Sequence, residues 1–253
     1  MRVLFRSRRK WFTLGLKGGL LFFCLWIFLA PSNRSIAATY QGDSFLIDSQ
    51  PAHAVPSYQL ALRLNPTSWR AQVRLAYALE LLDRKQSALE GYARSLELAP
   101  MEPEVILRAA HLYSEVGLYQ QAHDILRRLL SVDPSNWEAL GLLSRLSALQ
   151  GQFDLSEKWL LKLLEHNPHA YLTHFRLAQV QQNVDNEKAL KSCVQVLRNG
   201  PSPEIRRQTL LMMADIHLAR KEQQESIKAL QTLLKYYPGS LEAEIAKVRL
   251  GTQ

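Results

Sequence analysis

Three histidines lie close together in the sequence: His166 and His169 flank Pro168, and His174 follows within one helical turn and a half. Neutral imidazoles bind zinc well, but a structural site needs about four convergent ligands and a catalytic one about three plus water. No cysteine or carboxylate pair accompanies these histidines at ligand spacing, so a surface turn is expected and no metal. An accessory subunit or hydrolase built on His166, His169 and His174 is the rival reading. Zinc-protease helices, nucleophile elbows, phosphate-cradling loops and dinucleotide fingerprints are absent from the sequence. Cys193 falls on an apolar-periodic position and reads as a small core side chain. The expectation is therefore a chain that is not an enzyme and holds no cofactor. A different chemistry is suggested by Arg74, Arg108 and Arg176, which recur 34 and 68 residues apart. A guanidinium offers a planar fork that matches a carboxylate with two hydrogen bonds. Arginines that recur at a fixed interval need elements that recur with them.

Prolines supply that interval. Pro66, Pro100, Pro134, Pro168, Pro201 and Pro238 are separated by 34, 34, 34, 33 and 37 residues. Twelve residues before each stands a small residue: Ala54, Ala88, Ala122, Ser156, Ala189 or Ser226. A second small column runs through Ala76, Ala110, Ser144, Ala178 and Ala214. Short side chains at facing positions let two antiparallel helices approach closely, while larger neighbours interdigitate around them. Each unit thus reads as a helical hairpin closed by a proline.

In length, small columns, closing proline and the inter-helix glycines Gly117 and Gly151, the pattern resembles the tetratricopeptide repeat. Asp83, Asp185 and Lys221 stand where that glycine is expected in three copies. The resemblance implies an all-α fold, a right-handed α-solenoid of helix hairpins. Five repeats are expected at about 67–100, 101–134, 135–168, 169–201 and 202–238. A degenerate first repeat is expected at 39–66 with only Ser57–Leu64 firmly helical, and a capping helix at 239–253 whose apolar stripe is Leu241, Ile245, Val248 and Leu250. Tyr236-Tyr237-Pro238-Gly239-Ser240 is similar to endings of bacterial cell-envelope repeat proteins. Proteins of this family bind partners on the wall lined by each repeat's leading helix. Placed in phase, Arg70, Arg74, Tyr77, Arg108, His111, Arg145, Phe175, Arg176 and Gln179 face that groove, and an acidic or extended peptide is its expected occupant. Alternatively these arginines pair with Glu80, Glu104, Glu115 and Glu138 and simply solvate the helices, at little net energy.

Charge narrows the partners. The formal net charge is +8, but seven basic residues and no acid fall within residues 1–38, so the rest of the chain is nearly neutral. A body without a broad positive field is a poor match to the phosphate backbone, and nucleic acid is not expected. The basic front is followed by an apolar run, Gly18–Ala30, then Pro31 and small residues at Ser35, Ala37 and Ala38. Two readings remain open. One is a secretory signal cut after Ala37 or Ala38. The other is a hydrophobic helical anchor over residues 11–30, about 20 residues and long enough to cross a bilayer. Ser7–Phe12 also resembles a twin-arginine export signal. All place the basic flank inside and the body outside the cytoplasm, as a scaffold or assembly factor of the cell envelope, periplasmic or anchored to the inner membrane.

Overall fold

The computed structural model describes residues 31–251, so the signal-or-anchor segment of residues 1–30 lies outside the described residues. The described chain is all helix, turn and bend. In order it forms α1 (Pro31–Ile47), α2 (Pro51–Leu64), α3 (Trp69–Leu81), α4 (Lys85–Leu98), α5 (Pro103–Glu115), α6 (Tyr119–Val132), α7 (Trp137–Leu149), α8 (Phe153–His166), α9 (Tyr171–Gln181), α10 (Asn186–Arg198), α11 (Pro203–Ala219), α12 (Gln223–Tyr236) and α13 (Leu241–Leu250). None of these helices is long and apolar enough to cross a membrane.

The recurring prolines act one residue ahead of themselves. A proline ring crowds the preceding residue out of helical conformation, and Asn65, before Pro66, is extended at φ −142° and ψ 90°. Caps then restart the chain: Ser68, Asn136, Ser202 and Ser240 each accept a hydrogen bond from the amide three residues on, satisfying one donor that the first helical turn leaves free. Within the hairpins the turn column takes left-handed backbone at Ser49, Asp83, Gly117, Gly151 and Lys221. Asp185, in the repeat that is one residue short, instead caps α10 from φ −150°, its side chain accepting from the amides of Glu187 and Lys188.

The chain divides into two compact units, Met1–Gly117 and Leu118–Gln253. In the first, each described helix packs on the next, and the leading helices α1, α3 and α5 also touch in series. The first repeat is more helical than expected. Helix covers Pro31–Ile47 and Pro51–Leu64 rather than Ser57–Leu64 alone. Pro51 falls in the first turn of α2, where its missing amide costs no helical bond. Gly42 stands 34 residues before Ala76 and so opens the second small column. It lies directly against the ring of Tyr58, which is fully buried. Gly91 likewise approaches Ala76.

In the second unit successive helices from α6 to α13 pack in the same manner, with α9 on α11 and α11 on α13 as well. The small columns meet at Ser144 and Ser156, whose hydroxyls lie 3.0 Å apart, and at Ala178 and Ala189, which share a cluster with Cys193 and Ile216. The last helix buries only part of the expected stripe: Leu250 packs against the core and Ile245 is half-buried. Ala243 and Ala246 are buried with Leu230 and Leu233, whereas Leu241 and Val248 are 76% and 81% exposed. Alanine lets α13 approach more closely than leucine or valine would, and that proximity fixes its rotation.

Candidate functional site

On the inner helices of the first unit the predicted residues gather, but they engage one another. Arg74 of α3 lies between Asp43 of α1 and Glu104 of α5, at 3.5 Å from each. Arg108 sits 3.4 Å from the same Glu104 oxygen and stacks over the Tyr77 ring at 4.2 Å. His111 pairs with Glu115 at 3.4 Å, and Arg70 stacks on its neighbour Trp69. Partly exposed pairs of this kind add from a few tenths to about 1 kcal/mol each. Their larger effect is on charge, since the carboxylates already beside Arg74 and Arg108 compete with any acidic ligand. Two buried tyrosines hold the carboxylates in place: Tyr58 donates to Asp43 at 2.8 Å and Tyr92 to Glu80 at 2.7 Å. Burial first, and then these hydrogen bonds, keep both phenols above their usual titration range. They therefore remain donors.

Ligand atoms of Glu80, His111 and Glu115 lie within 4.8 Å of one another, yet Glu80 is held by Tyr92 and His111 by Glu115. The His166, His169 and His174 group does not converge. His169 meets Asn199 at 3.3 Å, and His174 donates to the Pro168 carbonyl at 2.9 Å, closing the turn between α8 and α9. Cys193 is fully buried and its thiol is pushed up to about 12 by that burial, which is the wrong direction for a nucleophile.

The second unit differs. Arg145 of α7 and Arg176 and Gln179 of α9 line one cleft of about 370 Å³, together with Ala148, Phe153, Val180 and Asn183. Gly141 also borders it, and a methyl group there would still be 4.0 Å from the Arg176 guanidinium. Among the described residues no acid pairs with Arg145 or Arg176. Phe175, expected in the groove, is only 6% exposed and belongs to the core. Its place on α9 turns it toward the helix interface, and the aromatic of the cleft is Phe153 instead. The arginine column therefore splits, with Arg74 and Arg108 internally neutralised and Arg176 open beside Arg145. Asp43 was not among the expected residues because the first repeat looked irregular. Its position 34 residues before Tyr77 was the available signal.

Profiles of the tetratricopeptide repeat match residues 41–103, 113–177 and 208–240. Among curated proteins, the chain is 30% identical over 69 residues to BBSome complex member BBS4 of Bos taurus, covering 27% of this chain and 13% of that protein. It is 34% identical over 96 residues to Sperm-associated antigen 1 of Mus musculus, covering 38% and 10%. The chain thus matches only a small part of these relatives' length. Among solved structures it is similar to Pseudomonas aeruginosa PilF, with TM-score 0.66 and 17% identity over 87% of this chain and 99% of that one. It is similar also to PilW, a widely conserved type IV pilus biogenesis factor, with TM-score 0.67 and 19% identity over 83% and 97%. YrrB, a repeat protein with an unusual peptide-binding site, aligns with TM-score 0.60 and 18% identity over 75% and 97%.

Proposed function

Because the chain belongs to the tetratricopeptide-repeat family, a fold that serves as a protein-interaction scaffold, we propose that it is a non-catalytic assembly factor of the cell envelope that captures an acidic peptide between α7 and α9. One observation carries the proposal: Arg145 and Arg176 share a cleft without an acidic partner among the described residues, while Arg74 and Arg108 are already paired. The amide of Gln179 can bind peptide backbone, Asn183 being engaged by the Gln179 carbonyl at the end of α9, and Ala148, Phe153 and Val180 give an apolar wall for a neighbouring side chain. The extracytoplasmic setting is supported by the basic front and apolar run of the sequence, and by the fold shared with a pilus biogenesis factor.

The test measures binding of fluorescein-labelled decapeptides, with and without carboxylates, by anisotropy across a salt series. A hydrogen bond to a charged group contributes about 1.5–3 kcal/mol, so replacing Arg145 and Arg176 by Ala should weaken acidic peptides at least roughly tenfold and flatten the salt dependence. Replacing Arg74 and Arg108 should leave affinity in place. Equal loss from both pairs, or none from the first, defeats the assignment.

A further inference from the structure

The residues that fit a peptidase site have a second use in the fold. Ser35 is 1% exposed, and its hydroxyl donates to the Ala61 carbonyl of α2 at 2.8 Å. Ala38, 5% exposed, packs with Ala61 and with Ala71 of α3. Gly42 continues the row against Tyr58. Positions 35, 38 and 42 share one face of a helix, and close helix approach requires short side chains there. Signal peptidase also requires short side chains, so the sequence pattern alone serves either purpose. A cut after Ala38 would remove Ser35 and Ala38 and leave only nine residues of α1, Thr39–Ile47, to cover α2. It would open Ala61 and Ala71, which are fully buried in the intact repeat.

We infer that residues 1–38 stay on the mature chain, and that the apolar run ending at Ala30 tethers the first repeat directly to the membrane. Of these small residues Ser35 and Ala38, continued by Gly42, are the packing face of α1, and Ala37 is exposed. Trp11–Ala30, with Lys17 inside it, is about 20 residues long, the count that a hydrocarbon layer of roughly 30 Å requires; its uncharged part, Gly18–Ala30, has the length of a signal's apolar core as well, so the packing of α1 and not length carries the inference. Pro31, immediately after the run in sequence, is already in α1.

The inference rests on the export reading, and two measurements separate them. The full chain, carrying a C-terminal tag, is expressed in a bacterial host, recovered from membranes and weighed intact. The expected species is the whole 253-residue, 28.9 kDa chain plus tag, resistant to alkaline carbonate extraction. A product beginning at Ala38 or Thr39, or any product that has lost the apolar run, overturns retention. Protease access to the tag in spheroplasts tests export independently, so an exported but shortened chain sinks this inference and leaves export standing. As a second readout, Ser35→Leu in the full chain should lower the thermal midpoint by a few degrees with the mass otherwise unchanged. If residue 35 is discarded on maturation, the midpoint of the purified protein does not move.

Discussion

Replacing Gly42 with alanine puts the packing of the first repeat to a test of sign. Glycine inside a helix costs about 0.5–1 kcal/mol relative to alanine, so on a free helix the substitution stabilises. In the folded repeat the added methyl would lie 2.5, 2.6 and 2.8 Å from three atoms of the Tyr58 ring, where ordinary carbon contacts are about 3.5–4.0 Å. Relief needs a shift of about 1 Å. Tyr58 has little room to make it, being fully buried with its hydroxyl donating to Asp43. Overpacking costs about 1–3 kcal/mol, so after the helical gain is set against it the net loss is roughly 1–2 kcal/mol. That corresponds to a fall of about 2–8 °C in midpoint for a chain of this size. Gly141 provides the control. It too lies within a helix, but a methyl there meets only the Arg176 guanidinium at 4.0 Å, so Gly141→Ala should raise stability by about 0.5–1 kcal/mol. Urea titrations followed by circular dichroism would compare the two with the parent. If both substitutions stabilise, α1 is not docked on Tyr58 and the completed first hairpin is wrong.

Lys221 occupies the left-handed turn between α11 and α12 at φ 64°, a conformation that costs a side chain about 1–2 kcal/mol. Lys221→Gly should therefore raise the thermal midpoint, and a fall would mean that the side chain has a role which nothing in the turn reveals. The Cys193 thiol, pushed up to about 12 by burial, should react with an aromatic disulfide reagent at pH 8 only as the second unit opens; rapid labelling of the native protein would contradict its burial. Glu222 is held below the usual carboxylate value by its hydrogen bond with His217 and then by Arg220. A carboxyl with a depressed folded value stabilises above its unfolded value and loses that contribution as pH falls through the folded one. The difference in urea midpoint between the parent and Glu222→Gln should accordingly be present at neutral pH and disappear on acidification below 4.5; a difference independent of pH would rule out titration as its source.

The sequence by itself determined the helical class, the pairing of helices and the buried position of Cys193, because proline stops and small-residue columns act through local sterics that recur with the chain. It also held the first repeat, in Gly42 and Asp43 one interval ahead of Ala76 and Tyr77, although the weak apolar pattern of 39–49 hid it. Tertiary structure alone decided the rotation of α13 onto Ala243 and Ala246, and which arginines remain open. Arg74, Arg108 and Arg176 are equivalent in sequence phase, yet charge is settled by what stands across the gap. Asp43 and Glu104 come from neighbouring helices 31 and 30 residues away from Arg74, whereas Arg145 and Arg176 line one cleft whose described residues include no acid. Periodicity fixes where a side chain points; the field it meets comes from residues distant in the chain, which only packing brings near.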